Sequence, residues 1–281
     1  MPGLTKFPNF EKPPVIEVVL SAQFVPVDGL TAAHLGLLWS RFRKAFPAVE
    51  QHGPVEHAVE SFGQMVPLKP SIMLQLVDSP PTPRCWFKNE SGTELIQVQV
   101  DRFMHNWRKT GEGDQYPRYE HIRRRFGEEL RQFESFINEE ELGRLVPDQC
   151  EVTYINHILS GDGWQNVGEL GHILKFWKGE TTEVEGGLSE PEEIKVAQKY
   201  VISDSAGKPA GRLHVDVQSA FRASDRHRLY VLTLTARTKP VEPTVEGVLS
   251  GLDLGREYIV KSFVELTTPE IRKVWVQKDE S

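Results

Sequence analysis

Apolar and polar positions change period along this chain, and the changes divide it into elements. Val15 to Val25 is rich in β-branched residues without strict alternation, the pattern of a strand covered on both faces. Glu17 is its one acidic residue, expected at a sheet edge or in a pair. From Thr31, a suitable N-cap, Leu35, Leu38, Trp39 and Phe42 recur at helical spacing until Pro47. Arg41, Arg43 and Lys44 fall opposite and read as a solvated face. Ser71–Val77 is a short strand candidate, stopped by the proline-rich run Asp78–Pro83. Cys85–Lys88 and Leu95–Trp107 form a hairpin through Asn89–Gly92. In its second strand Ile96, Val98 and Val100 point one way and Gln97, Gln99 and Asp101 the other, so the polar side faces solvent or, alternatively, walls a cavity.

After Pro117, Ile122, Phe126, Leu130, Phe133 and Ile137 form one apolar stripe, which predicts a long helix that frays at Glu139–Glu141 near Gly143. Cys150–Leu159 reads as a strand ending in the turn Ser160–Gly163, with a short helix about Leu170–Trp177. Beyond an acidic stretch rich in Gly and Thr, the order repeats. Tyr200–Gly207 leads to Leu213–Gln218 much as Trp86–Gly92 leads to Leu95–Val100. Leu229–Ala236 then precedes a helix from about Thr244 to Leu266 with Val245, Val248, Leu252, Ile259 and Phe263 on one side, and Thr268–Pro269 starts a last short helix. The expected fold is α+β, with two related β-rich halves of antiparallel strands, each packed on a long helix. Residues 1–14 are an irregular lead-in, 15–178 the first half, 179–193 a loop or linker and 194–281 the second half.

Composition narrows the function classes. With 281 residues, 39% hydrophobic and 26% charged, the chain has the makings of a large core. A net charge of -7 disfavours a nucleic-acid partner, which would require many neutralised phosphates. Cys85 and Cys150 stand far apart without metal-ligand spacing, His52 and His57 lack a third ligand, and no secretory or membrane-spanning run is present. A reducing cytoplasm is therefore expected, without metal, cofactor or membrane. No Gly-rich phosphate loop, nucleophile elbow or His-Glu metal pair occurs, so the sequence points away from an enzyme without excluding dispersed catalytic residues.

Residues 101–125 carry seven cations against four anions, in a chain that is negative overall. Arg102, Asn106, Trp107, Arg108, Tyr116, Arg118, Tyr119 and Arg123 form the candidate site, where guanidinium groups beside aromatic rings suit a partner protein or a small anionic ligand. The alternative is that Asp101, Arg102 and Glu120 pair among themselves and pin a strand–helix junction. If the halves instead enclose a cavity, Gln97, Gln99, Asp101, Asp216 and Gln218 are its candidate lining.

Three segments carry a resemblance: Pro13-Pro14-Val15-Ile16-Glu17-Val18, Asp101-Arg102-Phe103 with Asn106-Trp107-Arg108, and Tyr116-Pro117-Arg118-Tyr119-Glu120. With the ending Ile259–Phe263 through Leu266–Thr268 to Trp275, they resemble a sporadically distributed family of uncharacterised prokaryotic proteins. Patchy distribution implies an accessory, horizontally carried role such as defence, with another protein of the same system as partner. The expected function is thus a non-enzymatic interaction or regulatory protein, with a small-ligand binder or enzyme as the alternative.

Overall fold

The computed structural model describes residues 9–62, 82–178 and 190–278. The strand candidate Ser71–Val77 and most of the acidic stretch 179–193 lie outside the described residues. Among the described residues, eleven strands and four α-helices follow one another: β1 (Asn9–Phe10), β2 (Val15–Phe24), α1 (Ala32–Phe42), β3 (Ala48–His52), β4 (Arg84–Lys88), β5 (Glu94–Gln99), β6 (Arg102–Arg108), α2 (Tyr119–Glu139), β7 (Pro147–Leu159), β8 (Lys195–Ser203), β9 (Pro209–Phe221), β10 (Arg228–Thr238), α3 (Val245–Leu266), α4 (Pro269–Val274) and β11 (Gln277–Lys278). The fold is α+β. Nine strands form one antiparallel sheet in the order β3-β4-β5-β6-β2-β7-β10-β9-β8, and β1 pairs with β11. The strands on either side of the acidic stretch thus share a single sheet.

The two expected long helices form where their stripes place them. All five apolar positions of α2 are buried, and Phe133 packs on Phe24 and Phe103 at ring separations of 5.7 and 5.2 Å. In α3, Thr244 caps the first turn by accepting from the Gly247 N–H, and the stripe from Val245 to Phe263 is buried. Gly251 permits the close approach of α3 to the sheet, because a Cβ there would meet Cys150 Sγ at 2.8 Å. α2 and α3 lie on the same side of the sheet, joined by α1 through Phe42 against Phe87.

Three local expectations are corrected. Leu95–Trp107 is not one strand but two, β5 and β6, which fold back on each other through Val100–Asp101 with Gln99 opposite Arg102. The reversal is held from outside itself, since the Asp101 and Val100 carbonyls accept from Phe24 N–H and Val27 N–H at 3.0 and 2.8 Å. The stretch after Pro47, for which no element is expected, forms edge strand β3. The helix expected at Leu170–Trp177 is a 3-10 turn at Val167–His172. Glu17 lies on β2, an inner strand, and is paired there: Asn106 Nδ2 donates to it at 2.6 Å.

Both segments aligned by their Ser/Gly turns join neighbouring strands of the sheet. Trp86–Gly92 connects β4 to β5, Tyr200–Gly207 connects β8 to β9, and in each case the next strand, β6 or β10, lies beside β2 or β7. A long helix follows after each.

Candidate functional site

A pocket of about 900 Å3 opens between α2 and α3 above the inner strands, closed on one side by the chain around Phe10 to Val15. Most of its wall is apolar, including Phe10, Val15, Leu234, Ile259 and Phe263. Four of the eight junction residues line it: Tyr116, Arg118, Tyr119 and Arg123.

The polar groups converge because α2 begins over the middle of the sheet. Arg118, the N-cap of α2, has a φ of 74°, a left-handed conformation few non-glycine residues adopt. Its guanidinium donates to Asn9 Oδ1 at 2.9 Å and to the Phe10 carbonyl at 3.3 Å, tying the lead-in to the helix start. Tyr119 then donates its hydroxyl proton to Asp253 at 2.9 Å, and Arg123 grips the same carboxylate through two bonds of 2.6 and 2.7 Å. Those contacts clamp α2 to α3. Deeper in the pocket, the Tyr116 and Tyr154 hydroxyls lie 2.8 Å apart, and Trp107 backs the Tyr116 ring at 5.4 Å. Arg256 stacks its guanidinium on the Tyr119 ring at 5.0 Å and approaches Glu120 at 3.5 Å.

Burial raises all three tyrosines above their ordinary range, with Tyr154 adding to the effect on Tyr116 and Asp253 to that on Tyr119. They are therefore protonated donors at any physiological pH. Arg123 is raised by its bond to Asp253, so the clamp stays charged.

The remaining junction residues lie elsewhere. Arg102 and Asn106 are buried on the opposite face of the sheet, whereas Trp107 is buried on the helix side and Arg108 is spent on the Gly92 carbonyl at 2.8 Å. The polar side of β5, for which solvent is the leading expectation, is also buried: Gln97, Gln99 and Asp101 are 5%, 1% and 6% exposed. Asp216 and Gln218, expected beside them, are exposed on β9.

Among the described residues, 53–62 lie across strands of this opposite face as a strap. Three glutamine side chains bond it as a strand neighbour would. Gln99 takes both the N–H and the carbonyl of Val55 at 2.9 Å each. Gln23 does the same for Ala58 at 3.3 and 2.8 Å, and Gln149 accepts from Glu60 N–H at 2.8 Å. The His57 ring sits between Asp101 at 2.8 Å and Asp148 at 3.2 Å. At the far end Glu60 meets Arg212, His214 and Arg237. Burial pulls Glu60 upward, but His214 and Arg212 outweigh it and leave the carboxyl below its ordinary range; burial lowers His214 against the opposing pull of Glu60. The Glu60 carboxylate is thus held by the His214 ring and Arg212 together, with Arg237 3.5 Å away.

The sequence reading missed Tyr154, Asp253 and Arg256. Tyr154 follows the inward alternation of β7, but nothing local marks it as a pocket residue. Asp253 and Arg256, opposite charges three apart on α3, are the signal that was available.

Among the described residues, no cluster of three or more His, Cys, Asp or Glu is placed to hold a metal, and no helix is long and apolar enough to cross a membrane. No protein-family model and no curated protein matches the chain. One solved structure, the di-domain ARO/CYC StfQ from the steffimycin biosynthetic pathway, aligns over 89% of this chain and 98% of its own, at 12% identity and a TM-score of 0.16. A likeness that weak carries no argument.

Proposed function

We propose that this protein binds a small, largely apolar molecule in the pocket between α2 and α3, and that it does so as a non-enzymatic, regulatory component of a multi-protein system in the cytoplasm. The observation that carries the reading is a pocket of about 900 Å3 with apolar walls and a few convergent polar groups, Tyr116, Tyr154 and Arg256, at one place in it. Ligand sites have this make-up, because apolar walls supply affinity and a few fixed polar groups supply orientation. The junction arginines favour the small-ligand reading over a broad anion surface: Arg123 is spent on Asp253, Arg102 is buried and Arg108 bonds a carbonyl.

We further propose that the fold is a duplication, with β2, the meander ending in β6, and α2 repeated as β7, the meander ending in β10, and α3. The shared strand order supports it. On this division the pocket lies where the first repeat's helix starts beside the second repeat's helix.

The direct test is extraction of the purified, natively expressed protein followed by mass spectrometry of the released small molecules. A stoichiometric molecule is expected, and it should be absent from a Val260→Trp variant that fills the pocket from the α3 side. Recovery of an empty chain bound to a second protein would overturn the ligand reading and favour an adaptor.

Partner recognition is the second reading, supported by Arg118 and Arg124, which are exposed at and beside the start of α2. An Arg124→Glu variant should then lose a partner while keeping its ligand. Retention of the partner would count against an interface there.

A further inference from the structure

The deepest polar feature of the pocket is the Tyr116–Tyr154 pair, and counting its protons constrains the ligand. Two phenols own two hydroxyl protons. The bond between their oxygens, 2.8 Å long, uses one. The second proton has no acceptor among the described side chains, and Arg256, which approaches Tyr154, can only donate. Both hydroxyls are pushed upward by burial, so neither ionises to remove the surplus. A buried O–H without an acceptor is costly unless something that enters the pocket supplies one.

Charge constrains the ligand from the other side. The lining holds three cations, Arg118, Arg123 and Arg256, and three anions, Glu120, Asp253 and Glu257, which cancel. Arg123 gives its fork to Asp253, Arg256 faces Glu120, and Arg118 is exposed and bonded to Asn9 and Phe10. An anionic group at the tyrosine pair would therefore have to compete with Glu120 for the charge of Arg256. An uncharged acceptor carries no such penalty.

Resting on the small-ligand reading above, we infer that the pocket takes an uncharged, largely apolar molecule bearing a carbonyl oxygen, seated inward with that oxygen accepting the free proton of the Tyr116–Tyr154 pair. The apolar body lies along Leu234, Ile259 and Phe263, and the mouth is framed by the exposed residues Arg118 and Glu120.

The test uses the full chain and three fluorescent probes: a dimethylaminonaphthyl ketone, the same dimethylaminonaphthalene without its acyl group, and an anionic anilinonaphthalene sulfonate. The ketone is expected to bind saturably and tightest of the three. The Tyr116→Phe, Tyr154→Phe double variant, which keeps both rings, should weaken the ketone by about tenfold, the worth of one hydrogen bond, and leave the acyl-free probe unchanged. Val260→Trp should weaken both neutral probes; if its circular dichroism differs from the parent, Leu254→Trp replaces it. Equal binding of the two neutral probes, insensitive to the tyrosines but blocked by tryptophan, would overturn the carbonyl assignment while the pocket stands. Tighter binding of the sulfonate would overturn the uncharged class. No saturable binding, or binding indifferent to both the tyrosines and the tryptophan, would instead bring down the pocket reading itself.

Discussion

The two faces of the central sheet are buried by different means. On the helix side, Val18, Leu20, Ala22 and Phe24 of β2 meet the apolar stripes of α2 and α3, and the buried surface is largely hydrocarbon. On the strap side, Ser21 and Gln23 of the same strand are equally inaccessible, yet they lie in a layer of amides, carboxylates and guanidinium groups. Burial alone therefore does not separate core from candidate site in this protein. The first face is stabilised by removal of apolar area from water, which is non-directional and tolerant of detail. The second depends on each polar group having a partner, so its contribution is conditional on geometry.

Substitutions can break that comparison in order of size. Phe133→Ala empties a fully buried position between Phe24 and Phe103 and should cost about 3–5 kcal/mol in a denaturant titration. A loss under about 1 kcal/mol would mean that the helix-side packing is looser than its ring contacts indicate. Glu60→Gln on the strap should cost less, about 1–3 kcal/mol, since it removes the carboxylate that Arg212 and His214 face, while Arg237 keeps Glu151. Equality with Phe133→Ala would erase the distinction between the faces.

Acid should act on the strap before the helix side. His214 is lowered in the folded state, so the unfolded chain takes up a proton first and stability falls as pH drops below the ordinary histidine value of 6.5. Glu60 is lowered too, so its contribution is complete above the ordinary carboxyl value of 4.5 and is lost as pH falls through the folded value. Both shifts have the same sign. Hydrogen-exchange protection factors at Val55, Ala58 and Glu60 should be smaller at the lower end of this window, while those in α2 and α3 hold. A His214→Gln variant that loses strap protection over the same upper range would refute the assignment to that ring.

The smallest effect is expected at the clamp. Arg123 is about one-third exposed, so Arg123→Gln should cost only about 0.5–1 kcal/mol despite its two-bond geometry, because water screens the pair. Its sharper readout is the pocket: freed from Arg123, α2 and α3 should hold a probe less tightly without a matching fall in stability. Unchanged probe affinity would make the clamp irrelevant to binding.

Much of the helix side was legible in the residues taken one element at a time. Ile122 to Ile137 and Val245 to Phe263 announce their helices because a 3.6-residue period is a property of local spacing, and Thr244 and Thr268 cap where their short oxygens serve free N–H groups. The Tyr116–Arg123 cluster was legible as a candidate for the same reason: it is contiguous. Other features came only with the tertiary structure. The reversal at Val100–Asp101 has no Gly, Pro or Asn to signal it, and is secured by amides from Phe24 and Val27, some 75 residues away in the chain. Gln97 and Gln99 looked like a solvated face because strand alternation reports which residues share a side, not what covers it. Tyr154, Asp253 and Arg256 reach the pocket through a strand order that places β7 beside both β2 and β10, and through the helix crossing that sets α3 above them. Local period is written in neighbouring residues; convergence of distant ones is decided by long-range pairing and packing.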